Sequence, residues 1–166
     1  MRSSGAMLLA GLLLLFGCQR EAEKLAEFSG HIFVFNYRLS KANYVVTLRP
    51  MAPLPEGGSA IARFEDPLGG ERLVTQARLY PNMQKIVLES PDLRCVREGR
   101  SYSVSIDLAD ASGKVLQSLS TEVLATLDQS ILPKNALVVG PAYDRNPKVF
   151  QPAGRLDLSP DRDCPP

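Results

Sequence analysis

The sequence predicts an all-β domain, a single antiparallel sandwich of about seven strands. Three observations carry that expectation. Apolar residues recur with period two through most of residues 30–125, clusters of Gly, Pro and Asp interrupt the alternation at short intervals, and no long stretch shows the apolar period of a packed helix. Taken in order, the strands are expected at Gly30–Leu39, Tyr44–Arg49, Ser59–Glu65, Arg72–Tyr80, Gln84–Ser90, Ser101–Ala109 and Lys114–Leu124. Pro50-Met-Ala-Pro-Leu-Pro-Glu-Gly-Gly58, Asp66-Pro-Leu-Gly-Gly70 and Asp110-Ala-Ser-Gly113 supply the turn chemistry between three pairs of them. The clearest is Tyr102-Ser-Val-Ser-Ile-Asp-Leu108, in which Tyr102, Val104, Ile106 and Leu108 share one face and polar residues share the other, the pattern of a sheet with one buried side.

Before the first strand, Arg2 supplies a positive charge and an apolar run from Ala6 to Phe16 follows it, as in a secretory signal. The run is too short to span a bilayer, which takes about 20 apolar residues. It closes on Leu15-Phe16-Gly17-Cys18, which resembles the lipobox of bacterial lipoproteins. That resemblance implies cleavage before Cys18 and acylation of its thiol and freed amine, with two or three chains giving an anchor far firmer than one. Gln19 stands where the family carries an inner-membrane retention aspartate, so the resemblance implies the periplasmic face of the bacterial outer membrane. The alternative is an ordinary cleaved signal with an incidental cysteine. Four segments are expected: a lipoprotein signal peptide (1–17), a lipidated tether (18–29), the β-sandwich (30–125), and a Pro-rich C-terminal segment (126–166) packed on the domain and tied by a disulfide.

Just ahead of the Tyr102 strand stands Val96-Arg-Glu-Gly99-Arg-Ser-Tyr102, which resembles the corner of fibronectin type III and related immunoglobulin-like domains. The resemblance implies that Val96 and Gly99 turn the chain between two strands and that the Tyr102 hydroxyl bonds back to upstream backbone. The tryptophan typical of such domains is missing. A second resemblance, to the small β-sandwich lipoproteins that include pilotins of type III secretion secretins, rests on the lipobox, on Leu54-Pro-Glu-Gly-Gly-Ser-Ala-Ile-Ala-Arg-Phe-Glu-Asp66 and on the Tyr102 hairpin. It implies chaperoning of an outer-membrane partner.

Of three cysteines, lipidation would use Cys18 and leave Cys95 and Cys164, an even remainder that an oxidising periplasm would pair. A buried free Cys95 with a reactive Cys164 in the tail is the competing account. Removing residues 1–17 takes away Arg2 and leaves basic and acidic side chains equal in number, so nothing points to nucleic acid as a partner. With 45% apolar and 22% charged residues the chain lies in the globular range, where one domain of ordinary size is expected.

The chemistry-bearing residues argue for binding without catalysis. His31 is the one histidine; any Ser/His/Asp or Cys/His set would need it, no Gly-x-Ser-x-Gly elbow is present, and its alternation with Phe33 and Phe35 suggests packing at the edge of the core. One histidine with two paired cysteines leaves too few ligands for zinc, and no phosphate loop or dinucleotide fingerprint occurs, so no metal or cofactor is expected. Tyr143-Asp-Arg-Asn146 and Asp157, Asp161 and Asp163 carry oxygen ligands but lack calcium-loop spacing. Glu65 and Asp66, as neighbours on a strand end, point to opposite faces and cannot readily flank a glycosidic bond. Ile32-Phe-Val-Phe-Asn-Tyr37 has apolar residues on both faces, so something must cover each side. One account lays the segment Ile131–Val139 over the outer side; the other leaves Ile32, Val34 and Asn36 as a partner surface open to strand addition. The expected function is a lipid-anchored, non-catalytic binding or envelope-assembly factor with an envelope protein partner; the alternative is a periplasmic hydrolase or small-ligand carrier.

Overall fold

A computed structural model describes residues 24–160 together with Cys164. Cys18 and the lipobox before it, Asp161 and Asp163 lie outside the described residues. The strands are β1 (Ala26–Asn36), β2 (Lys41–Pro50), β3 (Ser59–Phe64), β4 (Leu73–Arg78), β5 (Ile86–Glu89), β6 (Ser101–Ala109) and β7 (Val115–Leu124). They form two antiparallel sheets, β1-β2-β5 and β4-β3-β6-β7. In the immunoglobulin constant arrangement the fourth strand joins the first sheet; here β4 stays beside β3, giving the fibronectin III-like sandwich of three strands on four.

Alternation builds the core. Tyr44, Val46 and Leu48 of β2, Ala60, Ala62 and Phe64 of β3, and Tyr102, Val104, Ile106 and Leu108 of β6 all turn inward and are buried. Burial of each large apolar side chain contributes about 1.5–3 kcal/mol. An aromatic cluster lies within the core: Phe33 lies 4.9 Å from Tyr44 and 5.5 Å from Tyr102, and Tyr44 meets Phe64 edge-on at 4.8 Å between ring centroids. Burial pushes the Tyr44 hydroxyl pKa well up, and the neutral hydroxyl donates to the Glu65 carbonyl at 2.7 Å.

The first strand begins four residues before the expected Gly30, inside the stretch assigned to the tether. Ala26 is fully buried, and Phe28 packs against the core. The cause is a bulge at Ser29: Phe28 pairs with Leu48 but Gly30 pairs with Thr47, so one extra residue shifts the inward positions from Ala26 and Phe28 to Phe33 and Phe35. His31 follows the bulge and is exposed, so the expected core-edge packing is not its role. The other expected strands lie within a few residues of their predicted ends, and Asp66 and Asp110 shape their turns as anticipated. Asp66 Oδ1 accepts from Leu68 N at 3.0 Å, and Asp110 Oδ1 from Ser112 N at 2.9 Å.

The two ends of the sandwich differ. At one end lie the start of β1, the 50–58 loop, the β4–β5 loop and the β6–β7 turn; at the other lie the β1–β2 turn and the C-terminal segment. That segment forms a 3₁₀ turn at Gln129–Ile131, a minimal hairpin of β8 (Val138–Val139) and β9 (Asp144–Arg145), and a second 3₁₀ turn at Pro152–Gly154. None of these four was anticipated. The segment caps the end of the sandwich: Leu137 N donates to Arg38 O at 2.9 Å, and the Ser40 hydroxyl donates to Pro133 O. It is therefore not laid over the outer face of β1. Ile32 stays 63% exposed and Val34 40%, because the chain turns across the end of the sheet.

Candidate functional site

The two outer faces of the sandwich contrast sharply. On the four-stranded sheet, polar side chains bond to one another. Arg63 Nη1 meets Asp107 Oδ2 at 2.5 Å, the Ser118 hydroxyl donates to Asp107 Oδ1 at 2.7 Å, and Glu65 Oε2 accepts from both the amide and the hydroxyl of Ser103 at 2.9 Å. Arg100 Nη2 reaches Glu65 Oε1 at 2.9 Å. Hydrogen bonding from Ser118 and then Arg63 holds the Asp107 carboxyl below its ordinary range. For Glu65, partial burial pushes upward, but the Ser103 and Arg100 hydrogen bonds outweigh it and the net shift is down.

The outer face of β1-β2-β5 is the opposite in character. Its register sets Ile32 beside Val45, with Val34 two residues along β1 and Val87 beside Thr47 on the neighbouring rung. Ile32, Val34 and Val87 are each at least 40% exposed; Asn43 and Thr47 lie among them, and the exposed Glu89, paired with Val45, borders the row on β5. Of the three candidate residues, the structure brings Ile32 and Val34 together. Asn36 ends the row, but its Oδ1 accepts from Leu39 N at 3.0 Å, which commits it to the β1–β2 turn.

The edges of the sandwich are handled unequally. At the start of β1, Gln117 of β7 bridges the sheets: its Oε1 accepts from Leu25 N at 2.8 Å and Ala26 N at 3.0 Å, and its Nε2 donates to Ala26 O at 2.8 Å. On the opposite side, Thr75 of β4 donates to Glu89 O of β5 at 2.8 Å. Past the Ser29 bulge, Gly30–Asn36 has β2 on one side only and carries no Lys, Arg, Asp, Glu or Pro, the residues that usually blunt an open edge. Sequence reasoning missed both clasps. The readable signal was a polar residue at an inward position of a strand, Gln117 in line with Leu119 and Val123, and Thr75 in line with Leu73 and Ala77.

The corner takes the geometry its resemblance implied. Val96 is buried, Gly99 has φ +75°, and the Tyr102 hydroxyl accepts from Arg97 N at 2.9 Å. Beside it the Cys95 and Cys164 sulfurs lie within bonding distance, with Cα atoms 5.4 Å apart. Gln129 fastens the beginning of the C-terminal segment to the same place, Oε1 accepting from Val96 N at 3.0 Å and Nε2 donating to Leu93 O at 2.9 Å. Buried Asn146 organises its middle, donating to Ala136 O at 2.7 Å and accepting from Lys148 N at 3.0 Å. Among the described residues no group of three His, Cys, Asp or Glu side chains is placed to hold a metal ion. Comparison with protein-family models gave no match, and comparison with curated proteins gave none either.

Proposed function

We propose that this chain is a lipid-anchored, periplasm-facing binding or assembly factor of the bacterial envelope, with no catalytic role, which takes hold of a protein partner along the open half of β1. One observation carries the reading: Ile32 and Val34 project into solvent from Gly30–Asn36, the half of an edge strand that carries no Lys, Arg, Asp, Glu or Pro, while much of the other outer face is taken up by hydrogen bonds and ion pairs within the chain. A partner strand added beside Gly30–Asn36 would gain main-chain hydrogen bonds from the edge and cover the apolar row at the same time. In this reading Cys95 and Cys164 are joined as a disulfide formed in an oxidising periplasm, and Cys18 carries the acyl chains. The outer-membrane destination follows from Gln19.

Photocrosslinking in living cells tests it. A benzophenone amino acid at Ile32 or Val34 should capture a discrete protein partner, whereas the same residue at Ser118 or Ser120 on the networked face should not. Equal capture from both faces, or none from β1, would refute the partner surface.

A further inference from the structure

We propose that the end of the sandwich bearing the start of β1 rests on the bilayer, with Met51, Pro53, Tyr80 and Pro81 in the lipid headgroup layer. The inference rests on the anchored reading above and goes beyond it by assigning the lipid-facing surface. Two observations carry it. The described chain begins at Lys24, and only six residue steps separate it from Cys18. Fully extended, that length reaches about 20 Å, so in the anchored reading Lys24 stays within that distance of the membrane and the end of the domain from which β1 starts is the end nearest to it.

The second observation is what that end exposes. Met51 follows β2 directly, its N–H donating to Leu25 O at 2.8 Å, and it is 50% exposed. Across a crevice of about 470 Å³ lie Pro81, Asn82 and Met83, which the β4–β5 loop brings beside Met51 and Pro53. Tyr80 opens this loop, is 53% exposed, and has the Arg78 guanidinium 5.7 Å over its ring. An exposed tyrosine with a cation on it, next to methionine and prolines, suits a headgroup layer: the ring enters the apolar boundary while the hydroxyl and guanidinium stay with water and phosphate. A second copy or a partner protein at this end would need the anchored chain to hold the domain off the bilayer, and six residues leave little room for one.

The test uses the protein produced from its full-length sequence, extracted in detergent from the cells that make it and reconstituted into vesicles of phosphatidylethanolamine and phosphatidylglycerol that carry a diazirine-tagged phospholipid. After irradiation, peptide mapping should find lipid adducts on residues 49–53 and 80–85 several-fold above those on 31–37 or 141–158. In M51D/Y80D, two exposed positions whose replacement leaves the core intact, the adducts should fall severalfold. The same digest reports acylation of the Cys18 peptide. An unacylated Cys18 overturns both the anchor and this assignment; an acylated Cys18 with adducts spread evenly, or centred elsewhere, overturns this assignment alone.

Discussion

Tyr102 shows how much one side chain can hold at the residue scale. Its ring packs against Phe33 in the core, while its hydroxyl reaches over the corner to accept from Arg97 N at 2.9 Å. Tyr102→Phe keeps the ring and removes only the acceptor, so it should cost about 1 kcal/mol, read as a lower denaturant midpoint at an unchanged slope. A midpoint equal to that of the native chain would reduce Tyr102 to a packing residue. Gln117 makes the companion case. Gln117→Leu should leave the amides of Leu25 and Ala26 without their acceptor and speed hydrogen exchange there by about tenfold, while β6 amides stay protected. The Tyr102 corner could be read in advance because Val96, Gly99 and Tyr102 are close in sequence. Gln117 acts on residues more than ninety positions away, and no local pattern identifies such a partner.

At the scale of the element, the two sheets divide the labour between cohesion and exposure. Glu65 and Asp107 sit in the bonded face of β3, β6 and β7 with pKa values lowered in the folded state. For groups depressed by folding, the unfolded chain binds protons first as pH falls, so the stabilisation is complete above the unfolded carboxylate range and is lost below about pH 4. Denaturation midpoints measured from neutral pH downward should decline through that window. Glu65→Gln should start lower and decline less, and parallel curves for the two proteins would contradict the role given to Glu65. The alternation of β2, β3 and β6 was legible because each strand keeps one phase from end to end. In β1 the Ser29 bulge changes phase in mid-strand, so Ala26 read as tether and His31 as core. Ser29-Gly30 was the visible sign of that irregularity.

The whole molecule is a sandwich whose two ends differ: the start of β1, clasped by Gln117, lies at one, and at the other a C-terminal segment is fastened by Gln129, Leu137, Asn146 and the Cys95–Cys164 contact. The sequence offered Ile131–Val139 as a cover for the outer side of β1, but the segment's route depends on single polar side chains at the far end of the sheets, which periodicity does not encode. Val149 is fully buried within it, so loss of the cysteine link should free only its last stretch. In Cys164→Ser, limited proteolysis should cut after about Phe150 and spare both the sandwich and residues 129–149. Cleavage reaching Gln129 would mean that the link holds the entire segment.

The proposed anchor and the orientation built on it both rest on acylation of Cys18, so metabolic labelling with a clickable fatty acid tests the account most directly. The wild-type chain should carry label that withstands denaturing extraction, and Cys18→Ala should carry none and accumulate with residues 1–17 attached. Equal label on the two proteins, or an unlabelled wild type, would contradict the anchored reading and the orientation built on it.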